Sequence, residues 1–167
     1  QGIGPDFKAN FPEIKNYVRM TPENALLAYG DVFFKEEGVY FASQDFFKVF
    51  PYPLVEGVDS TALKGPNKIV LSRSLAKKYF GDVDPIGKPL HYRNEDYIVK
   101  AVLEDVPANS HIRFNILLNY NKYIQLTNGD ANSSWGWSDF YTYILLKPGA
   151  DVNVLETKLT AFAERYM

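Results

Sequence analysis

Ser74-Leu-Ala-Lys77 has the spacing at which one helical turn sets a lysine amine beside a serine hydroxyl, the arrangement of an acylating serine enzyme. The companions that this chemistry needs are missing. Ser138-Asp139 is followed by Phe140 rather than Asn, and Lys147-Pro148-Gly149 puts proline where the third motif needs an edge donor. Lys77 also stands beside Lys78 on the polar face of its helix, where an amine keeps its charge and is a poor base. His91 and His111 are the two histidines, and they form neither an i, i+4 pair nor a His-Glu-x-x-His run. A metal site would have to draw them together with Asp96 or Asp105. Gly57, Gly81 and Gly87 are isolated, with no Gly-Lys-Ser/Thr loop to cradle a phosphate. Asn132-Ser133-Ser134 fits the N-glycosylation tripeptide, a pattern too short to carry weight alone.

The elements that would position such groups come from a chain of 167 residues, 46% apolar, able to bury a core as one domain or two small lobes. Eighteen basic and twenty acidic residues are interspersed and leave no positive stripe, which argues against nucleic acid as a partner. There is no cysteine, so disulfides and thiolate metal sites are excluded, and the composition suits an oxidising compartment. No apolar run reaches the roughly 18–20 residues of a membrane helix. The opening Gln1-Gly2, in place of Met, reads as an excerpt from a longer protein.

The clearest local pattern runs from Asn67 to Gly87. Lys68 to Leu71 is β-rich, Ser72 is placed to cap the next helix, Leu75, Ala76, Tyr79 and Phe80 share one helical face, and Gly81 stops it. Upstream, Pro5 with Phe7, Phe11 and Ile14 predicts a leading helix interrupted at Pro12, and Tyr17 to Met20 a strand. Thr21 to Asn24 reads as a turn, and Asp31 to Lys35 with Val39 to Ala42 as a hairpin closed at Glu36-Glu37-Gly38. Ser43 is expected to cap a short helix whose Phe46, Phe47 and Phe50 belong to the core; Leu54 to Lys64 reads as loop with one helical turn at most. Pro89 to Arg93 and Tyr97 to Leu103 read as strands about a turn at Asn94-Glu95-Asp96, the second an inner strand because both its faces are apolar. Ile112 to Tyr120 reads as a strand, Asn121 to Asp139 as the longest irregular segment, and Phe140 to Leu146 as a strand. Asp151 caps a helix with Val152, Leu155, Leu159, Phe162, Ala163 and Tyr166 on one side. Strands in adjacent pairs between separated helices indicate an α+β fold. Trp135 and Trp137, around Gly136 in a polar segment, are the candidate partner-contact residues unless they fold back over a sheet.

These stretches resemble the extracytoplasmic core domain of MacB/FtsX-type ABC transporter permeases in their Bacteroidetes form. The resemblance rests on Gly38-Val-Tyr-Phe-Ala, Asp45-Phe-Phe-Lys-Val-Phe, Pro53-Leu-Val-Glu-Gly57, the run Ile69 to Lys88, Tyr97 to His111 and Tyr141 to Asp151, and it is densest from Ser72 to Gly87. It implies a periplasmic domain inserted between the first and second membrane helices of an inner-membrane protein. Two lobes are implied: a porter-like α/β lobe from residues 1–20 and 114–167, and an inserted β-rich lobe from 21–113. No catalytic residue, metal or cofactor is implied in this domain, ATP being bound by a separate subunit. The implied partners are that ATPase, a second permease copy, and a periplasmic adaptor or lipoprotein. The implied function is mechanical, passing ATP-driven motion outward for export or extraction of a substrate. The competing reading is a stand-alone extracytoplasmic module that binds a glycan or peptide at Trp135 and Trp137, and it requires a deep aromatic-lined cleft beside them.

Overall fold

The computed structural model describes residues 3–129 and 140–164. In chain order these form α1 (Ile3–Asn10), β1 (Ile14–Tyr29), β2 (Val32–Ala42), α2 (Phe46–Val49), β3 (Leu54–Gly57), α3 (Asp59–Ala62) and β4 (Lys68–Ser72). Then come α4 (Arg73–Phe80), β5 (Pro89–Tyr92), β6 (Glu95–Leu103), β7 (Ile116–Asn119), α5 (Tyr120–Leu126), β8 (Tyr141–Leu146) and α6 (Val152–Ala163). The strands join one mixed sheet, ordered β2-β7-β4-β6-β5-β1-β8, with β3 on β6. β2 with β7 and β4 with β6 are parallel, and the remaining ladders are antiparallel. The architecture is α+β, as the sequence indicates.

β1 is sixteen residues long and belongs to two neighbourhoods. Ile14 to Met20 pair with β8, Met20 to Tyr29 pair with β2, and Ala28 meets His91 of β5. It crosses residues 20 and 21 without a break. Because β1 pairs with β2 as well as β5, the path β2-β7-β4-β6-β5-β1 closes on itself as a six-stranded ring. Alternate residues turn into the ring, among them Leu27, Phe41, Ile69, Leu71, Leu90, Tyr97, Val99, Ile116 and Leu118, and α4 and α5 pack against this set. The opposite faces hold a second core, where Val18, Met20, Ala42, Val70, Leu103 and Leu117 lie with Phe46, Phe47 and Leu63. A third, smaller cluster joins α1 and α6 to β8.

The Asn67 to Gly87 pattern is realised as expected: Ser72 Oγ accepts from the Leu75 amide, Leu75, Ala76, Tyr79 and Phe80 are buried, and Gly81 ends α4. Other local expectations are corrected. Thr21 to Asn24 is strand, not turn. Pro22 fits there because, between the β8 ladder ending at Met20 and the β5 contact at Ala28, that flank of β1 has no ladder that needs its missing N–H. Glu36-Glu37-Gly38 lies within β2, and the hairpin closes instead at Gly30-Asp31, where Gly30 takes the left-handed first position of a two-residue turn (φ 58°). Ser43 does not cap α2; its hydroxyl accepts from the Arg19 amide at 2.9 Å, and Asp45 stands at the N-cap without a capping bond, its carboxylate paired instead with Lys48 at 2.7 Å. Leu54 to Gly57 is a strand rather than loop. Gly57 permits its close approach to β6, since a Cβ there would sit 2.3 Å from the Lys100 carbonyl oxygen. The β5–β6 turn falls at Arg93-Asn94, both left-handed, one residue earlier than expected. Only Ile116 to Asn119 of the expected Ile112 to Tyr120 strand is strand. Tyr120 to Leu126, placed mostly in an irregular segment, is helix α5, capped by Asn119 accepting from the Asn121 amide.

The inward and outward faces of the hairpin should differ sharply in cost. Phe41→Ala, at a fully buried ring position, is expected to destabilise by about 3–5 kcal/mol. Phe33→Ala, on the outer face at 63% exposure, should stay within about 0.5 kcal/mol. Urea unfolding of the two variants measures both.

Candidate functional site

The residues with chemical potential are placed apart, each in a structural role. The Ser74 hydroxyl donates to the Asp105 carboxylate, whose other oxygen accepts the Ser74 amide at 2.9 Å. Ser74 therefore belongs to the capped first turn of α4, beside an Arg73–Glu104 ion pair of 2.6 Å. Lys77 lines an open groove with Asp82 and Asp84. His91 pairs with Asp96 across the β5–β6 hairpin at 3.0 Å, and His111 rests near the Tyr143 ring, 5.8 Å between centroids. Among the described residues no three His, Asp or Glu side chains converge on a metal position. Trp135 and Trp137 lie outside the described residues.

What the fold does bring together is its two terminal helices. Gly4 lets α1 close on β1, because a Cβ there would meet the Tyr17 ring at 2.5 Å. α1 ends at Asn10, before Pro12, as a proline that cannot continue a helix requires. α6 starts where Asp151 accepts the Asn153 and Val154 amides at 2.9 and 3.2 Å. Its Phe162 then meets Phe7 and Phe11 edge to face, with the three centroid separations at 5.6, 5.8 and 5.4 Å. Such pairs contribute about 0.5–1.5 kcal/mol each beyond their burial. Lys158 of α6 ion-pairs with Glu13, whose carbonyl accepts the Lys147 amide at 2.8 Å. The Lys158 hydrogen bond holds the Glu13 carboxyl below its usual range. Residues near both ends of the chain thus form one stem.

From that stem β1 runs to the hairpin tip, ~50 Å away at about 3.3 Å per residue. The hairpin arches over α4 and is latched to it. Glu36, 5% exposed, accepts from Lys78 Nζ at 2.7 Å and from the Tyr79 hydroxyl at 2.6 Å. The Lys78 ammonium lies 4.1 Å from the Phe34 ring centroid, and Tyr29 packs on Phe80. Burial, reinforced by the Glu36 carboxylate, pushes the Tyr79 phenol well above its ordinary value and keeps it a donor. A second latch ties α5 to the β5–β6 turn: Lys122 Nζ donates to both Glu95 oxygens at 2.6 Å, and Asn67 donates to one of them at 2.7 Å. Arg19 lies over the Tyr120 ring at 4.4 Å. Neither latch is visible in sequence, since Glu36 and Lys78, or Glu95 and Lys122, are linked only by the closed ring. The far end of the hairpin carries exposed Leu26, Val32 and Phe33.

These bonds give a pH signature. Burial works against the Asp105 carboxylate, but hydrogen bonds from Ser74 and Ser72 and the Arg73 charge outweigh it and hold the carboxyl below its ordinary value. A lowered folded value means that its contribution is fully present above the unfolded carboxylate range and is lost as pH falls through the folded value. Ser74→Ala removes the hydroxyl donor to Asp105 and leaves the backbone amide, so the gap in thermal stability between parent and variant should be widest near neutral pH and close in acid. Unfolding scans from about pH 7 to about pH 3 follow this gap.

The MacB-like periplasmic core domain family matches residues 3–162 of the chain. A domain described as part of a permease protein from Porphyromonas gingivalis has the same fold, with a TM-score of 0.82 at 24% identity over 99% of this chain and 70% of that one. The periplasmic region of MacB from Actinobacillus actinomycetemcomitans follows at a TM-score of 0.72 and 19% identity, over 96% and 71% of the two chains. The extracellular domain of the noncanonic ABC-type transporter YknZ from Gram-positive bacteria gives 0.63 at 14% identity, over 92% and 75%. No curated protein matches the sequence. No described helix is long and apolar enough to cross a membrane. With nearly every described residue inside the family match, and a fold shared with these domains, the chain belongs to the MacB-like periplasmic core domain family and is periplasmic, in an ABC transporter permease of the inner membrane.

Proposed function

We propose that this domain acts as a rigid lever that carries ATP-driven motion of the permease's membrane helices outward to a substrate or a periplasmic partner. The observation that carries this reading is the stem, in which Phe7, Phe11 and Phe162 hold residues near both chain ends side by side. A domain inserted between two membrane helices needs both of its ends at one pole. Stiffness supports the same reading. β1 runs unbroken from stem to tip, the ring ties it to five other strands, and the latches at Glu36 and Glu95 use buried or half-buried charges that have partners. A lever of this kind does no covalent chemistry; ATP is bound by a separate ATPase subunit, and Ser74, already bonded to Asp105, fits a structural role better than a nucleophilic one. The remaining partners in this reading are a second permease copy and an adaptor or lipoprotein. The glycan- or peptide-binding alternative would place its ligand at Trp135 and Trp137, which lie outside the described residues.

These 167 residues contribute no cysteine that would compete for a label. In the full permease with its ATPase, spin labels at Phe33→Cys and Val152→Cys report the tip-to-stem distance across the nucleotide cycle. A rigid lever predicts a distance constant to about 2 Å, while the tip moves relative to a label on the ATPase. A tip-to-stem distance that changes with nucleotide would replace the lever by a hinge within the domain.

A further inference from the structure

One flank of β6 is lined by two short strands laid end to end. β5 pairs with Glu95 to Ile98 and β3 with Ala101 to Leu103, both antiparallel. β1 covers the outer flank of β5 where Ala28 meets His91, and it turns back at Gly30-Asp31. Past that turn, among the described residues, the outer flank of β3 has no ladder. The Glu104 amide donates to the Pro53 carbonyl at 3.0 Å, so these two residues form a hydrogen-bonded pair. Pairs alternate in kind along an antiparallel ladder. The next one, Leu54 opposite Leu103, therefore turns the Leu54 N–H and C=O away from β6. A donor and an acceptor side by side on one residue are the complement of another extended backbone.

The side chains around this edge narrow the choice of partner. Ladder register shifts between Leu54 and Glu56, and Val55 and Glu56 both face α4 across an open groove of about 240 Å³. Val55, Ala76 and Val102 give the groove apolar surface, while Glu56, Lys77, Asp82 and Asp84 supply its charges. None of these four makes an ion pair among the described residues, and Arg73, which also lines the groove, is already paired with Glu104. Three carboxylates thus stand against one lysine. A charge and a bulge on an edge strand discourage uncharged strands, so a strand that pairs here has to bring positive charge. A second copy of β3 would instead set two acidic grooves against each other. We propose that the β3 edge docks an extended segment of a partner polypeptide bearing lysine or arginine beside apolar residues, with its backbone paired to Leu54 and its cations facing Glu56, Asp82 and Asp84. This goes beyond the lever and does not rest on it.

A blocked peptide of alternating lysine and valine, titrated into the 167-residue chain and followed by amide-resolved NMR, tests the site. The expected result is saturable binding below about 1 mM, with shifts centred on β3 and the groove. The Leu54 amide should exchange at least about 10-fold more slowly in the complex. Glu56→Lys, at an exposed position, should weaken binding at least about 10-fold. Full N-methylation of the peptide, which keeps its charges and removes its N–H donors, should do the same. Absence of binding at about 1 mM overturns the proposal, as do shifts centred elsewhere. Equal binding by the N-methylated peptide overturns it in favour of charge attraction alone, and equal binding by Glu56→Lys removes the charge selection. A Leu54 amide already protected without peptide also overturns it: with a dimer in sedimentation the edge belongs to a second copy, and in a monomer to this chain itself. None of these outcomes bears on the spin-label distances of the lever.

Discussion

A long strand must satisfy hydrogen-bonding groups on two flanks, and β1 does so by changing partners along its length. Its first half pairs with β8 on one flank, its second half pairs with β2 on the other, and it reaches β5 only at Ala28. Unpaired backbone in a buried strand costs as much as a lost hydrogen bond, so this hand-over fixes where each other element can stand. The β8 ladder stops at Met20, and the β5 contact follows on the same flank at Ala28. The proline that would break a central strand is confined to the short flank that neither β8 nor β5 occupies. The stem, the ring and the hairpin are consequences of how one strand is shared.

Closure of the ring brings together charges that are far apart in the chain. Glu36 and Lys78, forty-two residues apart, meet because the hairpin and α4 lie at one mouth of the ring. A buried carboxylate with two donors adds little net stability, since its desolvation offsets most of the attraction, but it opposes any movement that would leave it unpartnered. Lys122 on Glu95 acts in the same way at the α5 side. Such latches specify one arrangement of the hairpin and helices, which on the lever reading matters more for transmitting a displacement than for resisting unfolding.

Where physics is local, the sequence was easy to read. Ser72, the Leu75-Ala76-Tyr79-Phe80 face and Gly81 lie within ten residues and need no distant partner to act as cap, stripe and stop. The misreadings share one cause, which is long-range pairing that overrides a local signal. Thr21-Pro22-Glu23-Asn24 has turn residues throughout, yet β2 extends it; Glu36-Glu37-Gly38 looks solvent-exposed until Lys78 and Tyr79 arrive from α4. The stem was half visible. Phe7, Phe11 and Phe162 each lie on a predicted helical face, but that the two faces meet is a fact of topology. Ser74 and Lys77 illustrate the reverse, a spacing that suggests chemistry until Asp105, thirty-one residues on, takes the hydroxyl.

The placement of the apolar tip follows from the same geometry and bears on what a lever can do. Leu26, Val32 and Phe33 are exposed at the end of β1 opposite the stem, ~50 Å from it. For a stiff body turning about its stem, displacement grows with distance, so a rotation of about 10° carries the tip by ~9 Å, far more than the stem itself moves. Contacts made at the tip therefore experience the full stroke, while contacts along the ring feel a fraction of it. On the lever reading, selection for function acts on the stiffness between the two ends and on the shape of the far one. That accounts for a domain whose buried polar residues serve its own framework.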